Sequence, residues 1–350
     1  AGSRFPEMNV ISPLEPDSLT RDFFRTRARV PYSGMFLMAG VPSRISTNSE
    51  AILGHAGKLF LRLTSPNIGP DLTLRFWVGR DNAPSSLCAK PCFRGLGRFV
   101  FAGFGGEDFL VVDLVRRHVT GRFSFSFAGD EAAWRKVVFP VVLAMAAPSV
   151  GVSVLHCASA ERDQRGLILV GPSGSGKSTL SLALGKQGFG LLSDDRTCFT
   201  FRNGRLLGWG MGGYWKLRGD AYEHFPEIRG FPPTKGIGEE VTLEFDPEET
   251  LGLKRSHCCE PEWLVFLERQ NTEVFELTSM PAADAAPRLE EGLPAETTEG
   301  ITGQRTSIRE LVRRPCFRLR YGGSPYAVAQ HLSEHFCRTR PTSLQLPMLQ

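Results

Sequence analysis

From Met35 to about Phe127 the chain runs in short stretches in which apolar positions alternate with polar ones or cluster: KLFLRLT, LTLRFWVG, RFVFAGF, DFLVVDLV and GRFSFSF. Gly, Asn and Asp separate them, which is the pattern of β-strands joined by turns. A short helix fits Ser49 to Leu59. Residues 35–129 therefore read as an N-terminal β-rich α+β domain of accessory character, with no catalytic motif. From Asp130 the period changes. Asp130 to Ala147 has an acidic start and apolar residues at helical spacing, so a helix is predicted there. VSVLH and GLILV then read as strands, GPSGSGKSTLSLALGKQG as a loop entering a helix, and FGLLSDD as a strand ending in acids. This β-loop-α-β alternation predicts an α/β nucleotide-binding core over residues 130–338.

Farther on, WLVFLER and TEVFELT are expected to be paired strands. PAADAAPRLEEGLPAETTEG fits a helix with a loop or a mobile stretch, and FRLRYGG with a helix over Ser324 to Cys337 closes the domain. Residues 1–34 read as an arm or linker and 339–350 as a loose tail. There are no internal repeats. The apolar run Val137 to Leu155 carries Pro140 and Pro148 and continues into polar sequence, so it is expected to be a buried helix plus a strand, with no membrane span.

Composition narrows this picture. The 350 residues carry 41 basic and 37 acidic side chains, a net charge of +4, with 41% hydrophobic residues. Such a chain can bury a core, and so mild a basic excess gives no support to a nucleic-acid partner. The start of the chain has no apolar h-region, so no signal peptide is expected. Eight scattered cysteines suit a reducing cytoplasm, and His257-Cys258-Cys259 lacks the matching partner pair of a zinc site. Arginine outnumbers lysine, which draws attention to each lysine.

The candidate chemistry centres on Gly171-Pro-Ser-Gly-Ser-Gly176-Lys177-Ser178, which fits G-x-x-x-x-G-K-[ST] between an apolar strand and a helix. Backbone amides from Gly171, Ser173, Gly174, Ser175 and Gly176 would cradle phosphate oxygens, with the helix dipole adding to them. Lys177 would reach the β- and γ-phosphates of ATP, Ser178 would coordinate Mg²⁺, and Thr179 would complete the nucleotide-binding set. Asp194 and Asp195 end the next strand, where the γ-phosphate and metal would lie. One can hold Mg²⁺ and the other can accept a proton from an attacking hydroxyl, and their titrations are coupled. The sequence has neither an LSGGQ-type signature nor an NKxD guanine motif.

The run LHCASAERDQRGLILVGPSGSGKSTLSLALGKQGFGLLSDD resembles the catalytic core of HPr kinase/phosphorylase, with His156, Gly171 and Asp194 at the family's spacing. The same run is similar to ATP-dependent phosphoenolpyruvate carboxykinase, and GGYWKLRGDAYEHFPEIRGF continues both comparisons. The loop ends GKST where HPr kinases commonly have GKSE. The resemblance implies an α/β P-loop kinase core that moves the γ-phosphate of ATP to a hydroxyl, with a serine of a protein or peptide as first choice. A small-molecule alcohol is the alternative, as is carboxykinase-like transfer on a keto acid with Lys136 and His156 at a second metal. The resemblance further implies that His156 orients the aspartates, that Asp195 is the base with Asp194 its partner, that Glu227 helps bind magnesium, and that Arg229 contacts phosphate. Lys216 is a further phosphate contact, and Arg305 and Arg309 are candidates for a later basic loop. HPr kinases form rings, so the resemblance also implies a homo-oligomer.

Overall fold

The computed structural model describes residues 30–65, 67–79, 91–211, 214–235, 241–291 and 298–337. The expected arm and tail, apart from residues 30–34, lie outside the described residues, as do the two glycines at 212–213.

The first sheet comprises β1 (Tyr32–Met38), β2 (Val41–Thr47), β3 (Leu61–Leu63), β4 (Leu72–Gly79), β5 (Cys92–Leu96), β6 (Phe99–Gly105), β7 (Asp108–Asp113) and β8 (His118–Ser124), in the order β3-β1-β2-β4-β8-β7-β6-β5. Helix α1 (Glu50–Leu59) lies where the sequence placed it. In β2 and β4 alternate residues are buried, so one face is core and the other faces outward. The short α2 (Phe125–Gly129) leads into α3 (Glu131–Val150), whose start is capped by Asp130 accepting the Ala133 amide at 3.0 Å.

Helix α3 is long and apolar enough to cross a membrane by length and composition, but 56% of its most apolar window is buried inside the fold. Trp134 packs on Phe76, Phe123 and Phe139 with ring centroids 4.7–5.2 Å apart, and its indole N–H donates to the Phe127 carbonyl at 3.1 Å. Each such fully buried side chain stabilises the fold by about 2 kcal/mol. The turn Trp134–Val138 is π-helical, and this widening accommodates Pro140, which has no amide to donate and would crowd the preceding turn. The core of the first sheet and α3 also takes in Cys198, Leu207 and Trp209 of the second sheet.

That second sheet is mixed. It contains β9 (Val152–Leu155), β10 (Cys157–Arg162), β11 (Arg165–Val170), β12 (Gly190–Ser193), β13 (Thr197–Arg202), β14 (Arg205–Gly210), β18 (Cys258–Arg269), β19 (Phe275–Ser279) and β20 (Cys316–Tyr321). The main path is β12-β10-β11-β18-β14-β13-β9, with β20 on the other part of β18 and β19 outside β20. Helices α4 (Lys177–Lys186), α5 (Pro247–Leu251), α6 (Ala282–Glu290), α7 (Thr298–Leu311) and α8 (Pro325–Cys337) complete this part. A small sheet, β15 (Trp215–Arg218), β17 (Val241–Phe245) and β16 (Pro233–Lys235), lies beside α4. The fold is thus mixed α/β with two large sheets.

One strand is added and one expectation is corrected. CASAER is a strand in its own right, antiparallel to both β11 and β12, so the chain bends at His156. WLVFLER and TEVFELT do not pair with each other; β20 lies between them, parallel to β18 and antiparallel to β19.

Candidate functional site

The site is built where β11 stops. After Val170 the chain turns through Gly171–Gly176 and enters α4 at Lys177. Gly174 (φ +81°) and Gly176 (φ +89°) take left-handed conformations that a side chain would strain. Space is equally restrictive. A Cβ at Gly171 would come within 2.6 Å of the Ser175 hydroxyl, and one at Gly176 within 2.2 Å of the Tyr321 hydroxyl. Tyr321, at the end of β20, donates that hydroxyl to the Ser175 carbonyl. Burial pushes its phenol up to about 12, so it stays a donor at neutral pH. The Ser175 hydroxyl is buried without a hydrogen-bond partner among the described residues.

Lys177 is 6% exposed. Its ammonium folds back onto the Gly171 and Pro172 carbonyls at 2.7 and 3.2 Å. Burial lowers its pKa, and the charges of Asp195 and Asp194 partly oppose that shift. Ser178 and Thr179 are half-buried in the first turn of α4.

β12 ends at Ser193, whose hydroxyl donates to the Arg196 carbonyl and accepts the Arg196 amide at 3.2 Å, closing a turn around Asp194 and Asp195. Asp194 accepts the backbone N–H of Lys216 at 2.9 Å. Burial, helped by the like charge of Asp195, pushes its carboxyl up to about 7. Burial acts in the same direction on Asp195, but there a hydrogen bond and charge from His156, with Arg196 and Lys177, prevail and hold it below the ordinary range. The His156 Nε2 lies 2.8 Å from Asp195 Oδ1. Two neighbouring carboxylates are thus driven apart, one toward neutrality and one toward ionisation. The bend between β9 and β10 makes this possible, because it brings His156 out at the end of the sheet beside the aspartates.

The structure therefore gathers Lys177, His156, Asp194 and Asp195 around the loop. It does not gather the others. Glu227, in the turn Pro226–Ile228, binds Lys186 at 3.1 Å. Lys186 ends α4, about 13 Å along the helix from Lys177. Arg229 is exposed, with its guanidinium 5.7 Å from the Tyr222 ring. Lys216 meets Asp194 through its backbone, while its ammonium lies 3.6 Å from Glu244. Lys136 pairs with the same Glu244 and sits 4.5 Å from the Tyr214 ring. Arg305 lies 3.9 Å from Glu290, and Arg309 is exposed on α7.

Two residues missed in the sequence belong here. Arg218 follows Lys216 on the exposed side of β15, whose Trp215 and Leu217 face inward, and its guanidinium lies over Gly174, where a Cβ would meet it at 3.0 Å. The alternation of WKLR was the available signal. Tyr321 had none, since it is 146 residues from Ser175. Beside the loop, a cleft of about 400 Å³ is lined by Pro172, Ser173, Gly174, Ser175, Leu267, Glu268, Arg269 and Arg288. Among the described residues no group of three or more His, Cys, Asp or Glu is arranged to hold a metal ion.

No protein-family model matches the chain, and no curated protein matches it. Among solved structures it is similar to the Hpr(Ser) kinase/phosphatase from Coxiella burnetii, at 14% identity and a TM-score of 0.30, over 53% of this chain and 92% of that one.

Proposed function

We propose that the protein is an ATP- and Mg²⁺-dependent kinase that transfers the γ-phosphate to a hydroxyl, with a serine of a protein or peptide as the acceptor and a small alcohol as the alternative. The observation that carries this reading is the convergence of Lys177, Asp194, Asp195 and His156 at the mouth of the glycine loop. Backbone without side chains at Gly171, Gly174 and Gly176, the unpartnered Ser175 hydroxyl and the folded-back Lys177 suit a phosphate.

Ser178 and Asp194 are the residues to hold magnesium, which when bound supplies charge neutralisation to the phosphate oxygens. We leave Glu227 out of that set, because it binds Lys186 at the far end of α4. Lys177 swings from the loop carbonyls to the phosphates. Asp195, held ionised and oriented by His156, accepts the proton of the attacking hydroxyl. Arg218 adds a cation on the open side of the loop. The carboxykinase-like alternative draws less support, because Lys136 lies against Glu244 and Tyr214.

The test is ATP turnover with magnesium and candidate hydroxyl acceptors, followed by mass spectrometry of the products. Loss of ATP binding in Lys177→Ala and loss of transfer with retained ATP binding in Asp195→Asn are expected. Unchanged turnover in Lys177→Ala would refute the loop's role, and intact transfer in Asp195→Asn would refute that of the base.

A further inference from the structure

The outward face of the first sheet carries its own pattern. Strand register aligns three rows of side chains across it. One runs Ser46, Arg75, Thr120, Val111, Phe101, Arg94 from β2 to β5. The next runs Arg44, Thr73, His118, Asp113, Phe99, Leu96, and the third runs Trp77, Arg122, Phe109, Gly103, Cys92. Phe101 and Phe109 are 38% and 45% exposed, and Leu96 is 69% exposed. Large aromatic side chains on an open sheet face hold apolar surface in water, and a partner that covers it gains the free energy of its burial.

The charges on this face are unbalanced. Asp113 pairs with Arg98 at 3.2 Å and Glu107 pairs with Arg122. Among the described residues, no carboxylate lies within ion-pair distance of Arg44, Arg75, Arg94 or Arg116. Between the rows is a recess of about 300 Å³ lined by Phe99, Val111, Asp113, Arg116, His118 and Thr120. It has room for an aliphatic side chain. The ring of Phe99 is already covered by the Arg98 guanidinium at 4.8 Å, which leaves it unavailable as a stacking platform for a base.

We infer that this face docks an acidic polypeptide segment of a partner protein, with an aliphatic residue seated in the recess and carboxylates reaching Arg75, Arg116 and Arg94. Arg75 and Arg94 are four strands apart on one row, about 19 Å, which an extended segment of about six residues spans. The segment crosses the strands, and its charges meet cations at both ends of an apolar middle. This inference stands apart from the nucleotide site and does not depend on it.

The test is selection from a random peptide display library on the full chain, followed by fluorescence anisotropy of one selected peptide. Peptides enriched in Asp and Glu flanking Leu, Ile or Val are expected. Their affinity should fall at least about tenfold in the double variant Arg75→Glu with Arg94→Glu. Both side chains are exposed, so the variant should keep its thermal midpoint. The separate variant Val111→Lys, which fills the recess edge, should also weaken binding. Failure to enrich acidic peptides, binding unaffected by the double variant, or displacement of the peptide by oligo-uridylate at lower concentration than by an unlabelled copy would overturn the inference. None of these readouts involves ATP, so the result is independent of the kinase assay.

Discussion

The Tyr321 hydroxyl donates to the Ser175 carbonyl from so close that residue 176 can carry no side chain. One strand end therefore fixes the shape of a loop made by another, and the sequence at Gly176 answers to a residue on β20.

Tyr321→Phe keeps the ring and removes this bond. The Ser175 carbonyl is left without its donor, a loss of about 1–2 kcal/mol in stability. Thermal unfolding should show the drop, and nucleotide affinity should fall with it. Gly176→Ala should be worse, because it adds a clash and strains a left-handed residue. Equal stability of Tyr321→Phe and the native protein would contradict the clamp.

The pH dependence of stability should carry the mark of Asp194. Its carboxyl rises from 3.8 to about 7 on folding, so the folded state binds the proton more tightly. Its contribution is full at low pH, declines as pH rises from about 4 to about 7, and is lost above that. Asp194→Asn should remove this decline, making the metal-free variant more stable than the native protein at pH 8. Thermal midpoints across the range, without magnesium, measure it; parallel curves for the two proteins would count against it.

Glu227→Gln should leave ATP turnover unchanged, since its carboxylate faces Lys186 and not the loop. The stability change should stay below about 1 kcal/mol, as for other exposed ion pairs. A large fall in turnover at saturating magnesium would return Glu227 to the site.

Arg218→Ala should raise the KM for ATP several-fold while the thermal midpoint holds, because the side chain is exposed over Gly174. Arg218→Lys should restore part of it. A KM equal to that of the native protein would separate Arg218 from the nucleotide.

Much of the fold was legible because the chemistry was local. Alternating apolar positions located β4, β6, β7 and β8, and the acidic start and helical spacing located α3. The glycine loop, Lys177 and the Asp194–Asp195 pair were readable because each is a short pattern with its own backbone requirement. His156 entered through its resemblance in spacing, and its contact with Asp195 follows from the bend between β9 and β10, which no residue pattern marked. The Glu227–Lys186 contact was not readable, because a motif gives residue types and not the direction of a helix; α4 carries Lys186 away from the loop and Glu227 with it. Pairing across distance was the least legible. TEVFELT and WLVFLER both match a strand, and only β20, arriving later in the chain, separates them.

The central place of β18 has a consequence for how the molecule is made. This strand joins β11 on one side to β14 and β20 on the other, yet it is translated almost ninety residues after β11. Until then the ribosome holds a nascent chain in which β11 and β14 have bare hydrogen-bonding edges and apolar faces. Such edges invite pairing with other chains. Expression yield should therefore respond to translation speed through residues 171–269 more than through the first sheet, whose eight strands are complete by Ser124.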